Sequence, residues 1–192
     1  MSQPWPPGII KAFFNANQPD PTTSERSAFN GPYNALLFHL FSLSSSYMVA
    51  PPHHVPEAVQ DASEDSTPFV IELDHRPVFL LDVNPASYIN IHSNRKQADA
   101  RMRHYFAKFR EQAVTPYLYG ASAFGSRLRF YKYTLAANML EPAAIQPDPV
   151  VLNDLAPTTE WDCDLLDVDG AARFREVVDS VLQMCRALER EG

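Results

Sequence analysis

The chain has 192 residues and a mass of 21.6 kDa, which favours one compact domain. Apolar residues make up 45% and charged residues 20%, a composition that excludes wholesale disorder. The net charge of −7 argues against a general nucleic-acid binder, yet residues 95–132 hold nine basic and only two acidic residues. No leader or membrane segment is visible and cysteines number two, so we expect an intracellular chain, cytoplasmic or nuclear, without membrane contact.

The amino-terminal part has a different pattern from the rest of the chain. Residues 1–30 contain five prolines and no sustained apolar period, which predicts a proline-rich arm without a core of its own. Residues 31–192 then form the predicted domain. It opens with apolar residues at helical spacing from Tyr33 to Phe41, which predicts a helix with one buried face.

The following elements alternate between strand and helix patterns. A short strand is predicted near residues 47–49, and the apolar runs 69–73 and 78–83 predict an antiparallel hairpin. Helical spacing predicts a helix over residues 94–112, and runs 117–124 and 127–135 predict a second strand pair. A final apolar stripe from Phe174 to Leu188 predicts the last helix. This order indicates a single layered α/β domain, with a central mixed β-sheet flanked by helices.

Carboxylates around the first hairpin are the first candidates for chemistry. Asp65, Glu72, Asp74 and Asp82 could supply the hard oxygen ligands that hold Mg²⁺ in a phosphodiesterase site. Asp82 is the most informative, because it ends a very apolar strand where a carboxylate costs solvation energy unless something binds it. The alternative is a structural aspartate that accepts hydrogen bonds from the following turn.

Several segments together resemble a known family. They read FVIELDHRPVFLLDVNP, SNRKQADARMRHYF, TPYLYGASAFGSRLRFYKY and DPVVLNDLAP, followed by WDCDLLDVDGAARFREVVDSVLQMC. Residues 31–187 thereby resemble a fungal family of the PD-(D/E)XK nuclease superfamily. The resemblance implies a restriction-endonuclease-like fold. It also implies a Mg²⁺ site in which Asp65 and Asp82 are the metal ligands.

The resemblance also shows where the chain departs from an active nuclease. Asn84 stands where the family has a catalytic lysine, and Arg101 stands where the relatives usually have glutamine, four residues before Tyr105. An amide can position water but carries no positive charge, so catalysis is expected to be weakened or lost unless Arg101 or Arg127 substitutes. Asp65, Asp82 and Asn84 are therefore the catalytic candidates, with Mg²⁺ as cofactor only if the site is active.

The basic segment is the second candidate. A helix that exposes its cations beside a strand pair mixing cations with aromatics would bind phosphates and stack bases. The residues predicted to bind nucleic acid are Arg95, Lys96, Arg101, Arg103, Lys108, Arg127 and Arg129. The alternative is a solvated helix face that neutralises the acidic remainder of the chain.

Three functions stay open at this point. The preferred one is a degenerate nuclease-fold module that binds nucleic acid or a protein partner. The second is an active Mg²⁺-dependent nuclease that hydrolyses phosphodiesters. The third is a protein-interaction or scaffolding module that does not bind nucleic acid.

Overall fold

The computed structural model describes residues 4–18, 28–41, 47–51 and 68–191. Within these ranges a mixed β-sheet is flanked by α-helices, which confirms the predicted α/β class. The helices are α1 (Pro7–Ala16), α2 (Asn30–Leu40), α3 (His92–Phe109) and α4 (Val168–Glu191). The strands are β1 (Tyr47–Ala50), β2 (Phe69–Leu73), β3 (Arg76–Asn84), β4 (Tyr117–Phe124), β5 (Arg127–Thr134), β6 (Met139–Glu141) and β7 (Cys163–Asp164).

The sheet follows the order β1-β2-β3-β4-β5-β6, and β7 also pairs with β5. All neighbouring strands are antiparallel except β3 and β4, which are parallel. A parallel pair needs a crossover connection, and α3 supplies it by joining the end of β3 to the start of β4. The mixed sheet predicted from the order of elements is thus confirmed.

The two faces of the sheet carry different layers, because successive side chains on a strand point to opposite sides. Phe79 and Leu81 of β3 belong to the larger apolar core, which also contains the buried residues of α1, α2 and α4. Leu80 belongs to a second apolar cluster, which contains Met102 and Phe106 of α3. Since Asp82 and Asn84 follow Leu80 at intervals of two, they lie on the α3 side.

The amino-terminal arm contributes more to the core than its sequence pattern predicts. Residues 7–16 form α1, whereas no helix was expected in residues 1–30. Ile9 and Phe13 are buried against α2, and the indole Nε1 of Trp5 donates a hydrogen bond to Leu165 O at 2.7 Å. A signal for this helix is the proline at its first position, where the missing N–H costs nothing.

The last helix begins in close contact with β7. An added Cβ at Gly170 would lie 1.8 Å from Asp164 O, so only glycine allows the backbone of α4 to pass there. Phe174, Val178, Val181 and Cys185 then face the core, as the apolar stripe predicted. Within the described ranges, no helix combines the length and apolarity needed to cross a bilayer.

Candidate functional site

A row of polar side chains crosses the sheet beneath α3. Asp82 on β3 pairs in register with Ser122 on β4, which pairs with Arg129 on β5. Helix α3 adds Asp99 and Arg101. We call Asp82, Asn84, Asp99, Arg101, Ser122 and Arg129 the polar layer. In strand register, Asp82, Ser122 and Arg129 lie between Leu80 and Phe124, and Asn84 pairs with Phe124. Phe124 belongs to a smaller apolar cluster that also contains Ala98, Ala156 and Trp161.

Asp82 lies at the centre of one half of this layer. Its carboxylate has no exposed surface, and Arg101 Nη2 donates to its Oδ2 at 3.0 Å. Asn84 Nδ2 donates to the same oxygen at 2.9 Å and also lies 3.2 Å from Ala123 O. Arg101 donates to Asn84 Oδ1 as well. Strand β3 and helix α3 are therefore joined through a buried ion pair and an amide.

These residues do not fit a Mg²⁺ ion as they stand. Mg²⁺ needs several hard oxygen ligands around it, whereas the Asp82 carboxylate has a guanidinium cation within hydrogen-bond distance. No group of three or more His, Cys, Asp or Glu side chains that could hold a metal occurs among the residues described. Asp65, the other predicted ligand, lies outside the described residues.

Two further predicted ligands lie at the other end of the hairpin. Asp74 occupies the β2–β3 turn, and Glu72 pairs with Pro77 near that turn. The opposite end of β3 carries Asp82, next to the residue that pairs with Phe69 at the start of β2. The expectation that Glu72 and Asp74 could join Asp82 around one ion is therefore wrong.

The other half of the polar layer is a network of charges around Arg129. This side chain is 3% exposed, with Nη2 at 3.1 Å from Glu160 Oε2 and Nη1 at 3.1 Å from Asp99 Oδ1. Its guanidinium also lies over the rings of Tyr131 and Trp161, at 5.1 Å and 5.3 Å from their centroids. Among the described residues Arg129 Nε has no hydrogen-bond partner, and the contact of Nη1 with Asp99 is an ion pair without a hydrogen bond.

Asp99 connects this network to α3 and β5. Its carboxylate accepts hydrogen bonds from Arg103 Nε at 2.8 Å and from the Tyr131 hydroxyl at 2.9 Å. Burial is the main cause that raises the pKa of Tyr131 well above its ordinary value. The phenol therefore stays protonated and acts as a donor to Asp99.

The structure corrects the expectation that the basic segment, residues 95–132, displays most of its cations. Arg95 and Arg129 are buried, and each pairs with an acid that follows β6 in the chain, Asp154 and Glu160 respectively. Arg101 and Arg103 are likewise paired, with Asp82 and Asp99. Of the seven cations predicted to bind nucleic acid, the exposed ones are Lys96, Lys108 and Arg127.

Arg101 and Arg127 were the two arginines expected to supply the positive charge of a catalytic lysine if the site is active. The structure brings Arg101 to Asp82 and Asn84, but its charge is paired with the Asp82 carboxylate itself. Arg127, the other, is exposed and donates to Trp161 O at 3.0 Å. Of these two arginines, Arg101 belongs to the polar layer and Arg127 does not.

Sequence reasoning missed two members of the polar layer, Asp99 and Ser122, and the ion-pair partner of Arg129, Glu160. Asp99 has a local signal, because an acid four residues before Arg103 on a helix is placed for an ion pair. Ser122 and Glu160 have none that a single sequence shows. Ser122 sits in an apolar strand, where its hydroxyl lies 3.4 Å from Trp161 Nε1.

Comparison with known proteins adds no relative. No protein-family model, no curated protein and no solved structure matches the chain.

Proposed function

We propose that the chain is a degenerate nuclease-fold module of restriction-endonuclease-like architecture that has lost metal-dependent catalysis and acts by binding a protein partner. The observation that carries the proposal is the state of Asp82. Its buried carboxylate is held by Arg101 and Asn84, so a divalent cation would have to displace a guanidinium to reach it. The polar layer thus stabilises the contact between α3 and the sheet.

The hairpin supports the nuclease ancestry. Its second strand, β3, carries Asp82 and Asn84, the positions that the resemblance aligns with the second acid and the lysine. Strand β2 begins beside the segment of β3 that contains Asp82. Asp65 is the acid expected before that strand. The proposal that the site binds no metal requires that Asp65 and Asp82 do not hold an ion together.

The charges favour a protein over a nucleic acid as partner. Four of the seven cations predicted to contact phosphates pair with acids of the same chain, namely Arg95, Arg101, Arg103 and Arg129. Nucleic-acid affinity depends on cations that are free to replace the counterions of the phosphates. The chain as a whole carries a net charge of −7, which repels a polyanion.

Nucleic-acid binding is the second candidate function. It is favoured by the exposure of Lys96, Lys108 and Arg127, which stay available to phosphates. Such binding would weaken steeply as salt is raised, and Lys96→Glu with Lys108→Glu would abolish it. A Glu111→Gln variant, which removes an acid from the same segment, is the matched control for charge.

The test of lost catalysis is a cleavage assay on labelled single-stranded and double-stranded DNA and RNA with Mg²⁺ or Mn²⁺. We expect no metal-dependent cleavage by the wild-type chain or by Asp82→Ala. Cleavage by the wild type that disappears in Asp82→Ala would refute the proposal and establish an active nuclease. Cleavage that persists equally in both would identify a contaminant, and repurification would remove it.

A calorimetric titration with Mn²⁺ tests the metal site independently of cleavage. We expect no saturable heat with the wild-type chain, because the Asp82 carboxylate is paired with Arg101. Saturable binding that Asp82→Ala removes would contradict the proposed loss of the metal site.

A further inference from the structure

Three consecutive apolar side chains are displayed on the connection between β6 and the short 3-10 helix at Thr158–Glu160. Val150, Val151 and Leu152 are 87%, 64% and 101% exposed. We call residues 146–154 the apolar loop. Single exposed apolar residues are ordinary, but an uninterrupted exposed run is typical of a contact surface.

Side-chain hydrogen bonds hold the apolar loop in its displayed conformation. The Asp148 carboxylate accepts the backbone N–H groups of Val150 and Val151 at 2.7 and 3.0 Å. Asn153 accepts the N–H of Asp148 at 2.9 Å and donates to Gln146 O at 3.0 Å. A loop that is already ordered loses less conformational entropy when it binds, so more of the contact energy appears as affinity.

The base of the apolar loop is fixed to α3. Asp154 lies 2.7 Å from Arg95 Nη2 and 3.0 Å from His92 Nε2, and it accepts the N–H of Ala156 at 2.9 Å. Arg95 Nε donates in turn to Ala156 O at 2.7 Å. The three apolar side chains therefore project from an anchored support.

The charge around the apolar loop defines the chemistry of what it contacts. Residues 133–172 contain eight acidic residues and no lysine, arginine or histidine. Asp154, Glu160 and Asp162 pair with arginines from other segments. The other five acids form no ion pair within the described residues, and they are Glu141, Asp148, Asp164, Asp167 and Asp169. A surface rich in lysine and arginine would complement this segment, and it would steer the two molecules together. Two copies of this chain, each with a net charge of −7, would instead repel each other.

We propose that the apolar loop inserts Val150, Val151 and Leu152 into an apolar pocket on a protein partner whose rim is basic. The inference rests on the proposed function, for which it names the contact surface. Leu152 is the central anchor, because its side chain is the largest of the three and is fully exposed before binding.

Photo-crosslinking of the 192-residue chain in an extract of the source organism identifies what lies against the loop. A photoreactive residue replaces Leu152, or Val168 as the control, which is an exposed apolar residue of the same acidic segment outside the loop. We expect a protein joined to position 152 and absent from position 168. The linked protein is then purified and titrated with the wild-type chain, Leu152→Asp and Val168→Asp.

The expected result is a dissociation constant raised about tenfold or more by Leu152→Asp and less than about twofold by Val168→Asp. The affinity should also fall as salt is raised. Three results would overturn the inference. They are no specific capture at position 152, capture of a second copy of this chain, and a dissociation constant that Leu152→Asp does not change. Circular dichroism confirms that both variants are folded.

A third photoreactive position separates this inference from the proposed function. Lys108 is exposed on α3, away from the apolar residues of the loop in sequence. Capture of a protein from position 108 but not from position 152 would support the proposal that the chain binds a protein, and it would refute the inference that the apolar loop makes the contact. Capture from none of the positions would count against both.

Discussion

The carboxylate of Asp82 has no exposed surface, so its charge depends on neighbouring groups for compensation. Removing a carboxylate from water costs several kcal/mol, and a charged partner with good geometry offsets that cost. Arg101 and Asn84 provide these contacts from α3 and from the same strand. The residues that resemble a catalytic site therefore act here on the free energy of unfolding.

We predict that Arg101→Gln lowers the free energy of unfolding by about 3–5 kcal/mol, because it leaves a buried carboxylate without its cation. The double variant Arg101→Gln, Asp82→Asn should lose less than the sum of the two single variants. Urea denaturation measures each value.

The matched control for this prediction is an exposed ion pair. Arg173 and Asp162 lie 2.9 Å apart with side chains 49% and 58% exposed. Arg173→Gln should therefore cost less than about 1 kcal/mol. Equal losses from Arg101→Gln and Arg173→Gln would show that the buried pair is not a stabilising contact.

A buried thiol predicts how stability changes at alkaline pH. Burial is the main cause that raises the pKa of Cys163 from 9.0 to about 11. The folded chain holds the thiol proton of Cys163 more tightly than the unfolded chain does. This difference contributes to the free energy of unfolding in full below the unfolded pKa, and the contribution is lost as pH rises through the folded pKa. The wild type should thus lose stability relative to Cys163→Ala between pH 9.0 and about 11.

Urea denaturation of both proteins across that range measures the difference. Groups that do not interact with Cys163 titrate alike in the two proteins, so they cancel in the comparison. Tyr33 does interact with Cys163, but burial is the main cause that raises the pKa of Tyr33 well above its ordinary value. A constant difference from neutral to alkaline pH would contradict the burial of this thiol.

At the scale of elements, the β2–β3 hairpin turns within two residues. Asp74 and His75 have φ values of 48° and 63°, in the left-handed region that costs about 1–2 kcal/mol for a residue with a Cβ. Two-residue hairpin turns of this geometry favour glycine, because it adopts positive φ without strain. Glycine also loses more conformational entropy on folding, which offsets part of the strain that it relieves.

We predict that His75→Gly raises the free energy of unfolding by about 0.5–1 kcal/mol, because it relieves the left-handed backbone. His75→Ala removes the exposed imidazole but keeps the Cβ, so it should give no gain. Thermal denaturation of the three proteins checks the order, and a gain from alanine equal to that from glycine would contradict the argument.

The helices show which elements a single sequence can predict. The three longer described ones, α2, α3 and α4, follow from apolar residues at helical spacing, because each needs one continuous buried face. Helix α1 has only ten residues, and β6 and β7 have three and two, too few for a period to emerge. The first hairpin was predictable because its two runs are rich in β-branched and aromatic residues.

The site was less predictable, because its contacts join distant parts of the chain. Asp82 could be singled out, since a carboxylate in an apolar strand demands a partner. The burial of Arg95 could not, because its partner Asp154 is 59 residues away. The excess of positive charge in residues 95–132 was thus visible, while the acids that neutralise it came from outside that segment.

At the scale of the whole molecule, the arm and the last helix share one core. Trp5 is 3% exposed and its ring lies 6.4 Å from that of Phe174 on α4. The guanidinium of Arg175 lies 3.7 Å from the centroid of the same indole. The arm is consequently part of what holds the domain together.

We predict that Trp5→Ala lowers the free energy of unfolding by about 3–5 kcal/mol, through the cavity it leaves and the lost hydrogen bond to Leu165. Phe14→Ala on α1 is the control, since its side chain is 58% exposed, and it should cost less than about 1 kcal/mol. Urea denaturation compares them, and a Trp5→Ala variant as stable as Phe14→Ala would mean that the arm is not part of the core.

The bond between Trp5 and Leu165 spans 160 residues of sequence. A ribosome releases the amino end first, so α1 emerges long before β7 and α4 exist to receive it. Trp5 stays in contact with water until those elements are made, whereas Phe13 meets Phe29 and Tyr33 much earlier. The segment around Trp5 is thus made well before its partners and completes its packing late, so it is exposed to a chaperone at the tunnel exit.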